Sequence, residues 1–294
     1  MSVDTITTIS PTTNKPVLTR TTPTGPEIQQ ILSASTNAFA TFRHTHPLSE
    51  RQLIVQKALK ILADRQDALA EELTEQMGRP IAYTAKEIAT AKARSEYLLK
   101  ISGEALADTE GEAENGFKRY IRKEAVGPVL IIFAWNYPYL VLVNSLIPAI
   151  LAGNTVILKP SPQTPTIAEH ISDIFLEAGL PPSVIQYFHC GSQTVLSAVA
   201  SAPEIKLICF TGSVAGGISV QRAASNRVVP VGLELGGKDP AYVREDVDVK
   251  WVAEDVVDGA VFNSGQSCCS VERVYVGESI HDEFVTAVQE VLKG

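Results

Sequence analysis

Residues 125–158 read AVGPVLIIFAWNYPYLVLVNSLIPAILAGNTVIL, a stretch of 34 residues without a charged side chain. A stretch of that length can cross a bilayer as a helix. Proline, asparagine and glycine residues interrupt it, however, and the polar groups that they leave unpaired are costly in hydrocarbon. Strands of a parallel sheet are covered on both faces and are therefore apolar throughout. We interpret the stretch as a buried strand at 126–133, a helix at 139–151 and a second strand at 154–159.

The same alternation of strands and helices continues towards the C-terminus. Three strands are predicted at 184–189, 205–210 and 228–233, with helices near 166–179, 192–201 and 216–225. Two further strands, at 240–243 and 271–276, flank a helix from 249 to 263, and two helical segments, 49–77 and 82–101, precede the sheet. Such alternation predicts an α/β fold with a Rossmann-like parallel sheet, wound by right-handed crossovers.

Two segments lie outside this alternation. Residues 107–125 alternate around Asn115-Gly116, a strong hairpin signal, and predict an exposed two-stranded arm. Residues 1–26 are rich in Ser, Thr and Pro and contain no apolar core of signal-peptide length. We expect a flexible tail there, with an extended surface strand or an organelle-transit sequence as the alternatives.

The composition is that of an ordinary globular protein. Of the 294 residues, 45% are hydrophobic and 20% are charged, which excludes global disorder and collagen-like or coiled-coil arrays. The net charge of -8 argues against nucleic acid or an anionic membrane as a partner, since both attract basic surfaces. The four cysteines form no CxxC pair and no His-rich cluster accompanies them. We therefore expect no metal site, and we expect a reducing compartment, the cytoplasm.

Several candidate binding residues stand where predicted strands end. Residues 210–217, FTGSVAGG, follow a strand and open a helix, so glycine allows a close backbone approach and the helix N-terminus can bind a phosphate. Packing alone also explains such a turn. Asn136 and Lys159 follow the first two strands, at the edge where open α/β sheets bind ligands. Lys159 is a natural cation there for a phosphate or a ribose hydroxyl.

Cys268 and Glu234 are candidate catalytic residues. Cys268 lies in FNSGQSCC (262–269), a small polar loop that favours exposure, and an exposed thiol can act as a nucleophile. A buried structural cysteine is the alternative. Glu234 ends an apolar strand just before two glycines, where a partly desolvated carboxylate can act as a general base. A solvated glutamate at a strand end is the alternative for that position.

Five segments together carry a resemblance to a known family. They are WNYP (135–138), AGNTVILKP (152–160), FTGS (210–213), LELGGKDP (233–240) and FNSGQSCC (262–269). With these segments in this order, and with Cys268 34 positions after Glu234, the chain resembles the aldehyde dehydrogenase superfamily from about residue 27 onward. The resemblance implies oxidation of a small-molecule aldehyde to a carboxylic acid with NAD or NADP as cofactor.

The resemblance also implies a role for each matching residue. Cys268 would attack the aldehyde carbon to form a thiohemiacetal, and Asn136 with the backbone N–H of Cys268 would stabilise the oxyanion. Glu234 would activate the water that hydrolyses the resulting thioester. Cys269 would be a bystander, because the Gly-Gln-x-Cys pattern selects Cys268. The implied cofactor-binding residues are Trp135, Lys159, Gly212, Ser213 and Gly217.

Two positions depart from the pattern of the family. Ala134 stands where proline is usual before the Trp-Asn pair, a change expected to alter local stiffness more than chemistry. Pro162 stands where many NAD-preferring members carry a glutamate that accepts hydrogen bonds from the adenosine ribose. Without that carboxylate a 2′-phosphate meets no repulsion, so we expect that dinucleotide binding tolerates NADP or shows little preference between NAD and NADP.

The largest departure concerns length. Family members continue well past position 294, and the resemblance implies a truncated chain. Its expected parts are a flexible tail (1–26), a dinucleotide-binding domain (27–233) with an oligomerisation arm (107–125), and the incomplete start of a catalytic domain (234–294). The arm implies a homo-oligomer, although the strand that pairs with it in the family is missing.

Three functional hypotheses follow from these observations. The first is an NAD(P)-dependent aldehyde dehydrogenase. The second is a catalytically impaired dinucleotide-binding or interaction protein derived from one. The third, acyl transfer to coenzyme A, is less favoured because Glu234 supports hydrolysis of the thioester.

Overall fold

The computed structural model describes residues 4–293, which form two compact units divided between Glu234 and Leu235. The boundary expected from the sequence, between 233 and 234, lies one residue earlier. Each unit has its own sheet and its own hydrophobic cluster.

The elements up to the division contain a five-stranded sheet and its covering helices. In chain order they are β1 (Thr5–Ile9), β2 (Pro16–Thr21), α1 (Gly25–Thr45), α2 (Leu48–Asp64), α3 (Gln66–Met77), α4 (Ile81–Ala105), β3 (Thr109–Glu110), β4 (Tyr120–Ile121), β5 (Pro128–Ile132), α5 (Pro138–Leu151), β6 (Thr155–Lys159), α6 (Thr166–Glu177), β7 (Ile185–Tyr187), α7 (Gln193–Ser201), β8 (Leu207–Gly212), α8 (Val214–Ala224) and β9 (Val231–Leu235).

The main sheet has the strand order β7-β6-β5-β8-β9. The pairs β5–β6, β5–β8 and β6–β7 are parallel, and Val129 of β5 pairs with Val156 on one side and Leu207 on the other. Every residue of β5 and β6 is buried, as expected for strands covered on both faces. The predicted α/β fold and the division of the uncharged stretch into strand, helix and strand are confirmed.

The helices before the sheet differ from the prediction in two ways. The predicted helical segment 49–77 is two helices, because the backbone leaves the helical region at Arg65 (φ -100°, ψ 4°). Helix α1 was not predicted, although its start has a sequence signal. The backbone N–H of Thr24 donates to the Glu27 carboxylate at 2.7 Å, which is half of a capping box.

The N-terminal segment is a paired hairpin over residues 5–21, which corrects the expectation of a flexible tail. Strands β1 and β2 are antiparallel, with Ile6 opposite Arg20 and Thr8 opposite Leu18. Ile6 and Thr8 are buried while their neighbours in β1 are exposed, so one face of the hairpin packs on the rest of the unit. Its hydrogen bonds and this buried face order the segment. The alternative of an extended surface strand was closer to the structure.

The predicted arm at 107–125 is confirmed as an exposed hairpin. Thr109 pairs with Ile121, and the Phe117 N–H donates to the Glu114 carbonyl at 3.0 Å to close the turn. The two turn residues, Asn115 (φ 51°) and Gly116 (φ 80°), both adopt the left-handed conformation. A two-residue hairpin turn of this type requires it, and Asn-Gly is the pair that adopts it most readily.

The second unit is a small α/β layer. Its elements are β10 (Asp239–Val243), α9 (Val249–Val261), a 3-10 turn (Phe262–Gly265), β11 (Val271–Val276), a second 3-10 turn (Glu278–Ile280) and α10 (His281–Val291). Strands β10 and β11 are parallel. Val243 of β10 packs in one hydrophobic cluster with Ala253 of α9 and with Phe284 and Ala287 of α10. The predicted strands and helix of this region are confirmed.

Candidate active site

Three segments with candidate residues meet at one edge of the main sheet. Strands β6, β5 and β8 are adjacent and parallel, so their carboxyl ends share an edge. Lys159 ends β6, residues 133–137 follow β5, and Gly212 ends β8 with residues 213–217 directly after it. From β5 the chain proceeds to β6 and β7 on one side, whereas β8 and β9 lie on the other. Such a reversal of strand order opens the crevice in which α/β sheets bind ligands.

The glycine-rich turn after β8 is built over the ring of Phe210. A Cβ atom placed on Gly212 would lie 2.8 Å from the Phe210 Cζ, and one placed on Gly216 would lie 2.7 Å from it. Only glycine allows the backbone to approach the buried ring so closely. Packing therefore accounts for these two glycines, as the alternative interpretation expected.

The same turn leaves a helix N-terminus accessible. Ser213 caps α8, and its Oγ accepts a hydrogen bond from the Gly216 N–H at 3.1 Å. Ser213 is exposed and Gly217, which donates its N–H to the Ser213 carbonyl at 2.9 Å, is buried. The first N–H groups of a helix carry a partial positive charge, so the start of α8 also suits an anion such as a phosphate.

Lys159 is a buried cation at the same edge. It is 9% exposed, and burial lowers the pKa of its ammonium group. Within residues 4–293 no carboxylate lies within 4 Å of Lys159. A buried ammonium without a neighbouring carboxylate is available to pair with a ligand oxygen. The position suits a ribose hydroxyl or a phosphate oxygen.

Trp135 and Asn136 lie in the turn between β5 and α5. Trp135 is 39% exposed and Asn136 is half-buried, so both are accessible from the sheet edge. The backbone carbonyl of Asn136 accepts a hydrogen bond from the Arg79 guanidinium, which also stacks 4.8 Å from the Tyr137 ring centroid. Cation–π contact and hydrogen bond together fix the backbone of this turn.

A buried carboxylate completes the support of that turn, and sequence reasoning missed it. Glu87 forms an ion pair with Arg79, and its second oxygen accepts from the N–H groups of Tyr139 (2.9 Å) and Leu140 (3.3 Å). Burial raises the pKa of Glu87, while Arg79 acts in the opposite direction. The signal was present in the spacing of α4, where buried Thr84, Glu87, Ile88 and Ala91 recur at helical intervals.

Glu234 is exposed near the end of β9. It is the last residue of the first unit, and β9 alternates between half-buried and exposed residues. The exposed position corresponds to the alternative of a solvated glutamate. Its side chain is accessible to solvent water.

Cys268 belongs to the second unit and is exposed, so the alternative of a buried structural cysteine is wrong. The loop before it starts with a left-handed turn: Asn263 (φ 54°), Ser264 (φ 59°) and Gly265 (φ 72°) are consecutive. Asn263 and Ser264 are strained in this region, and such strain is concentrated at functional sites. The Asn263 side-chain amide donates to the Gln266 carbonyl at 3.3 Å and closes the turn.

One of the two glycines after Glu234 lies beside this loop. A Cβ atom on Gly237 would lie 3.5 Å from the backbone carbonyl of Cys268 and 2.8 Å from the Asp239 carboxylate. Cys269, the neighbour of Cys268, is exposed as well and lies 3.4 Å from the Ser267 hydroxyl.

The sequence matches the model of the aldehyde dehydrogenase family over residues 1–294. The chain belongs to the aldehyde dehydrogenase family. It is 33% identical over 255 residues to lactaldehyde dehydrogenase of Escherichia coli K12, covering 84% of this chain and 52% of that protein. It is 30% identical over 292 residues to D-glyceraldehyde dehydrogenase (NADP(+)) of Picrophilus torridus, covering 99% of this chain and 59% of that protein. The chain thus spans just over half the length of these family members.

The family fold is also found among solved structures. The NAD-dependent aldehyde dehydrogenase of Sinorhizobium meliloti superposes on 99% of this chain with a TM-score of 0.92 at 28% identity, and 58% of that structure is covered. Among residues 4–293, no helix is long and apolar enough to cross a membrane, and no group of His, Cys, Asp and Glu residues could hold a metal ion.

Proposed function

We propose that this chain catalyses the NAD(P)-dependent oxidation of an aldehyde to a carboxylic acid. The observation that supports it most strongly is the common sheet edge of Lys159, Trp135, Asn136 and the 212–217 turn, where strand order reverses. Membership of the aldehyde dehydrogenase family supports the reaction class. The names of similar proteins include both NAD- and NADP-dependent enzymes, which supports either dinucleotide as cofactor.

The residues at the sheet edge fit such a cofactor. Gly212, Ser213 and Gly217 would receive the pyrophosphate at the start of α8, Lys159 a ribose hydroxyl, and the exposed Trp135 would line the site. When bound, the dinucleotide would accept the hydride of the reaction. Position 162 carries proline, so no carboxylate at that position repels a 2′-phosphate. We therefore propose that NADP binds with an affinity similar to that of NAD.

We propose Cys268 as the nucleophile, Asn136 as an oxyanion donor and Glu234 as the base. The thiolate of Cys268 adds to the aldehyde carbon, and the oxygen becomes an oxyanion that accepts hydrogen bonds from the Asn136 amide and the Cys268 N–H. Loss of hydride from that carbon re-forms the carbonyl as a thioester. Glu234 takes a proton from water, the hydroxide adds to the thioester, and the thiolate leaves with release of the acid.

We further propose a homo-oligomer joined through the arm at 107–125, and a cytoplasmic location. The arm exposes Phe117 and Ile121, which supports association through it. Cys190, Cys209, Cys268 and Cys269 form no disulfide with one another, which supports a reducing compartment.

The decisive experiment compares dehydrogenase activity of the full chain with that of Cys268→Ala, using a panel of small aldehydes with NAD and NADP. Cys269→Ala is the matched control, since it removes an exposed thiol one position away. We expect Cys268→Ala to abolish turnover and Cys269→Ala to retain most of it. Dinucleotide binding should survive in both variants.

Turnover that survives in Cys268→Ala would overturn the nucleophile. Dinucleotide binding without turnover in any variant, the unmodified chain included, would favour a catalytically impaired dinucleotide-binding protein. Formation of an acyl-coenzyme A product would favour the third hypothesis over hydrolysis.

A further inference from the structure

The N-terminal hairpin packs against the segments that follow β6 and β7. Its Ile6 methyl group would lie 3.2 Å from a Cβ atom placed on Gly191, just after β7. Its Arg20 forms a two-pronged ion pair with Glu169 at the start of α6, with distances of 2.7 and 2.9 Å. The hairpin therefore covers the carboxyl end of the sheet on the side of β6 and β7.

Thr8 connects the hairpin to the turn after Lys159. Its hydroxyl donates to the carbonyl of Pro162 at 2.7 Å, and the residue is 1% exposed. One residue further along each segment, the Gln163 side-chain amide donates to the carbonyl of Ile9 at 3.0 Å. Two hydrogen bonds thus join β1 to the turn, one at residue 162 and the other at residue 163.

The hydroxyl of Thr8, rather than the volume of its side chain, accounts for threonine at this position. Thr8 alternates with Ile6 on the buried face of β1, where an apolar β-branched residue is normally favoured. Valine has nearly the same shape as threonine and would avoid the cost of burying a hydroxyl. The hydroxyl gives the turn a fixed partner, because a buried donor must be satisfied.

The turn is also held from within. The Ser161 hydroxyl accepts from the Gln163 N–H at 3.2 Å, and the Ser161 carbonyl accepts from the Thr164 N–H at 3.1 Å. These are local contacts that turns of many shapes share. The bond from Thr8 comes from 154 positions away and fixes the turn relative to the sheet.

We propose that Thr8 is a positioning residue for dinucleotide binding, and that the hairpin is a part of the dinucleotide site. It acts through the turn at 160–163, which continues directly from the buried Lys159, the residue proposed above to contact a ribose hydroxyl. The inference rests on the dinucleotide site proposed above. Pre-ordering of the turn raises affinity, because the apparent dissociation constant rises as the binding-competent fraction falls.

The test measures the dissociation constants of NAD and NADP by titration calorimetry at fixed salt, for the full chain and three variants. Thr8→Val removes the hydroxyl and keeps the shape, whereas Thr8→Ser keeps the hydroxyl. Thr7→Val makes the same change on the exposed face of the same strand. Thermal unfolding of each variant is recorded alongside.

We expect Thr8→Val to weaken dinucleotide binding about fivefold, the factor that corresponds to a hydrogen bond of about 1 kcal/mol. Thr8→Ser and Thr7→Val should bind as the unmodified chain does. Weaker binding in Thr8→Val, restored in Thr8→Ser, distinguishes a positioning role from a purely structural one. A loss of stability alone would leave the dissociation constant unchanged well below the unfolding temperature.

Equal dissociation constants for Thr8→Val and the unmodified chain would overturn the positioning role while leaving the dinucleotide site intact. Weakening of equal size in Thr7→Val or Thr8→Ser would also overturn it, because the hydroxyl would then not be responsible. An unmodified chain that binds neither dinucleotide would instead overturn the proposed site, and the inference with it.

Discussion

At the scale of single residues, glycine has opposite effects on stability at two helical positions of this chain. Gly216 lies in the first turn of α8, where a Cβ atom would lie 2.7 Å from the buried Phe210 ring. Gly103 lies in the last turns of α4, and nothing lies within 4 Å of a Cβ atom placed there. The first glycine is required by packing, whereas the second only lowers helix propensity.

We predict that Gly216→Ala destabilises the fold by about 1–2 kcal/mol, because the methyl group forces the buried ring to move. The matched substitution Gly103→Ala should stabilise it by about 0.5–1 kcal/mol through helix propensity. Urea unfolding of both variants gives the two free energies. If both substitutions stabilise the fold, the Phe210 ring can move at little cost and the prediction for Gly216→Ala is wrong.

The sequence motifs predicted which residues lie at the sheet edge, since each follows a recognisable strand. They could not predict what holds those residues. Arg79 and Glu87 support the Asn136 turn from more than 45 positions away, and no local pattern relates them to it. The left-handed conformation of Ser264 was equally hidden, because serine has no preference that predicts it.

At the scale of elements, the start of α5 depends on a side chain from α4. The Glu87 carboxylate satisfies two N–H groups that the helix itself leaves unpaired, and it neutralises the buried Arg79. Removal of one member of a buried ion pair leaves the other charge uncompensated. The pair is therefore expected to be far more sensitive than ion pairs on the surface.

We predict that Glu87→Leu destabilises the fold by about 3 kcal/mol, and that the double variant Glu87→Leu with Arg79→Met recovers part of this loss. Glu96→Leu on the same helix is the control. Its pair with Lys92 is exposed, so its loss should change the free energy of unfolding by less than about 0.5 kcal/mol. If the double variant loses as much free energy of unfolding as the two single variants together, Glu87 and Arg79 are not energetically coupled.

A second ion pair between elements joins Arg20 of β2 to Glu169 of α6, and its contribution to stability depends on pH. Burial alone raises the pKa of Glu169, but hydrogen bonds from His189 and Arg20 outweigh it and lower the pKa from 4.5 to about 2. A carboxyl with a lowered pKa stabilises the fold above its unfolded pKa, near 4.5, and loses that contribution as pH falls towards 2.

We predict that Glu169→Gln lowers the free energy of unfolding by about 1–2 kcal/mol at pH 7, after allowance for solvent screening. The difference from the unmodified chain should shrink by about half at pH 3. Urea unfolding at pH 7, 5, 4 and 3 measures it. Glu177→Gln on the same helix is the control, since Glu177 pairs with Arg65 at the surface. A constant difference across this range would refute the prediction.

Elements with a continuous apolar sequence or a strong turn signal could be predicted, whereas the N-terminal hairpin could not. Strands β5 and β6 were evident because both faces are buried. The hairpin of β1 and β2 could not be predicted, because its segment is rich in Ser, Thr and Pro and the burial of Thr8 depends on Pro162, far along the chain. Composition describes a segment without its partners, so it could not show this.

At the scale of the whole molecule, the arm exposes two large apolar side chains to solvent. Phe117 is 70% exposed and Ile121 is 68% exposed, and hairpins of two short strands are marginally stable alone. Burial of such side chains against another copy contributes about 1.5–3 kcal/mol each. This burial is the physical basis of the homo-oligomer proposed above.

We predict that the double variant Phe117→Ser with Ile121→Ser weakens self-association by at least about tenfold, as measured by sedimentation velocity across a concentration series. The control is Val228→Ser, which removes a fully exposed apolar side chain outside the arm. An association constant that the arm variant leaves unchanged would count against the arm as the interface.

The central position of β5 has a consequence for the synthesis of the chain. Val129 pairs with Val156 early, but its other partner, Leu207, is translated 78 residues after it. At about 5–20 residues per second, the ribosome supplies that partner roughly 4–16 s later. During this interval the nascent chain carries an apolar strand with at least one open edge, a surface that promotes aggregation.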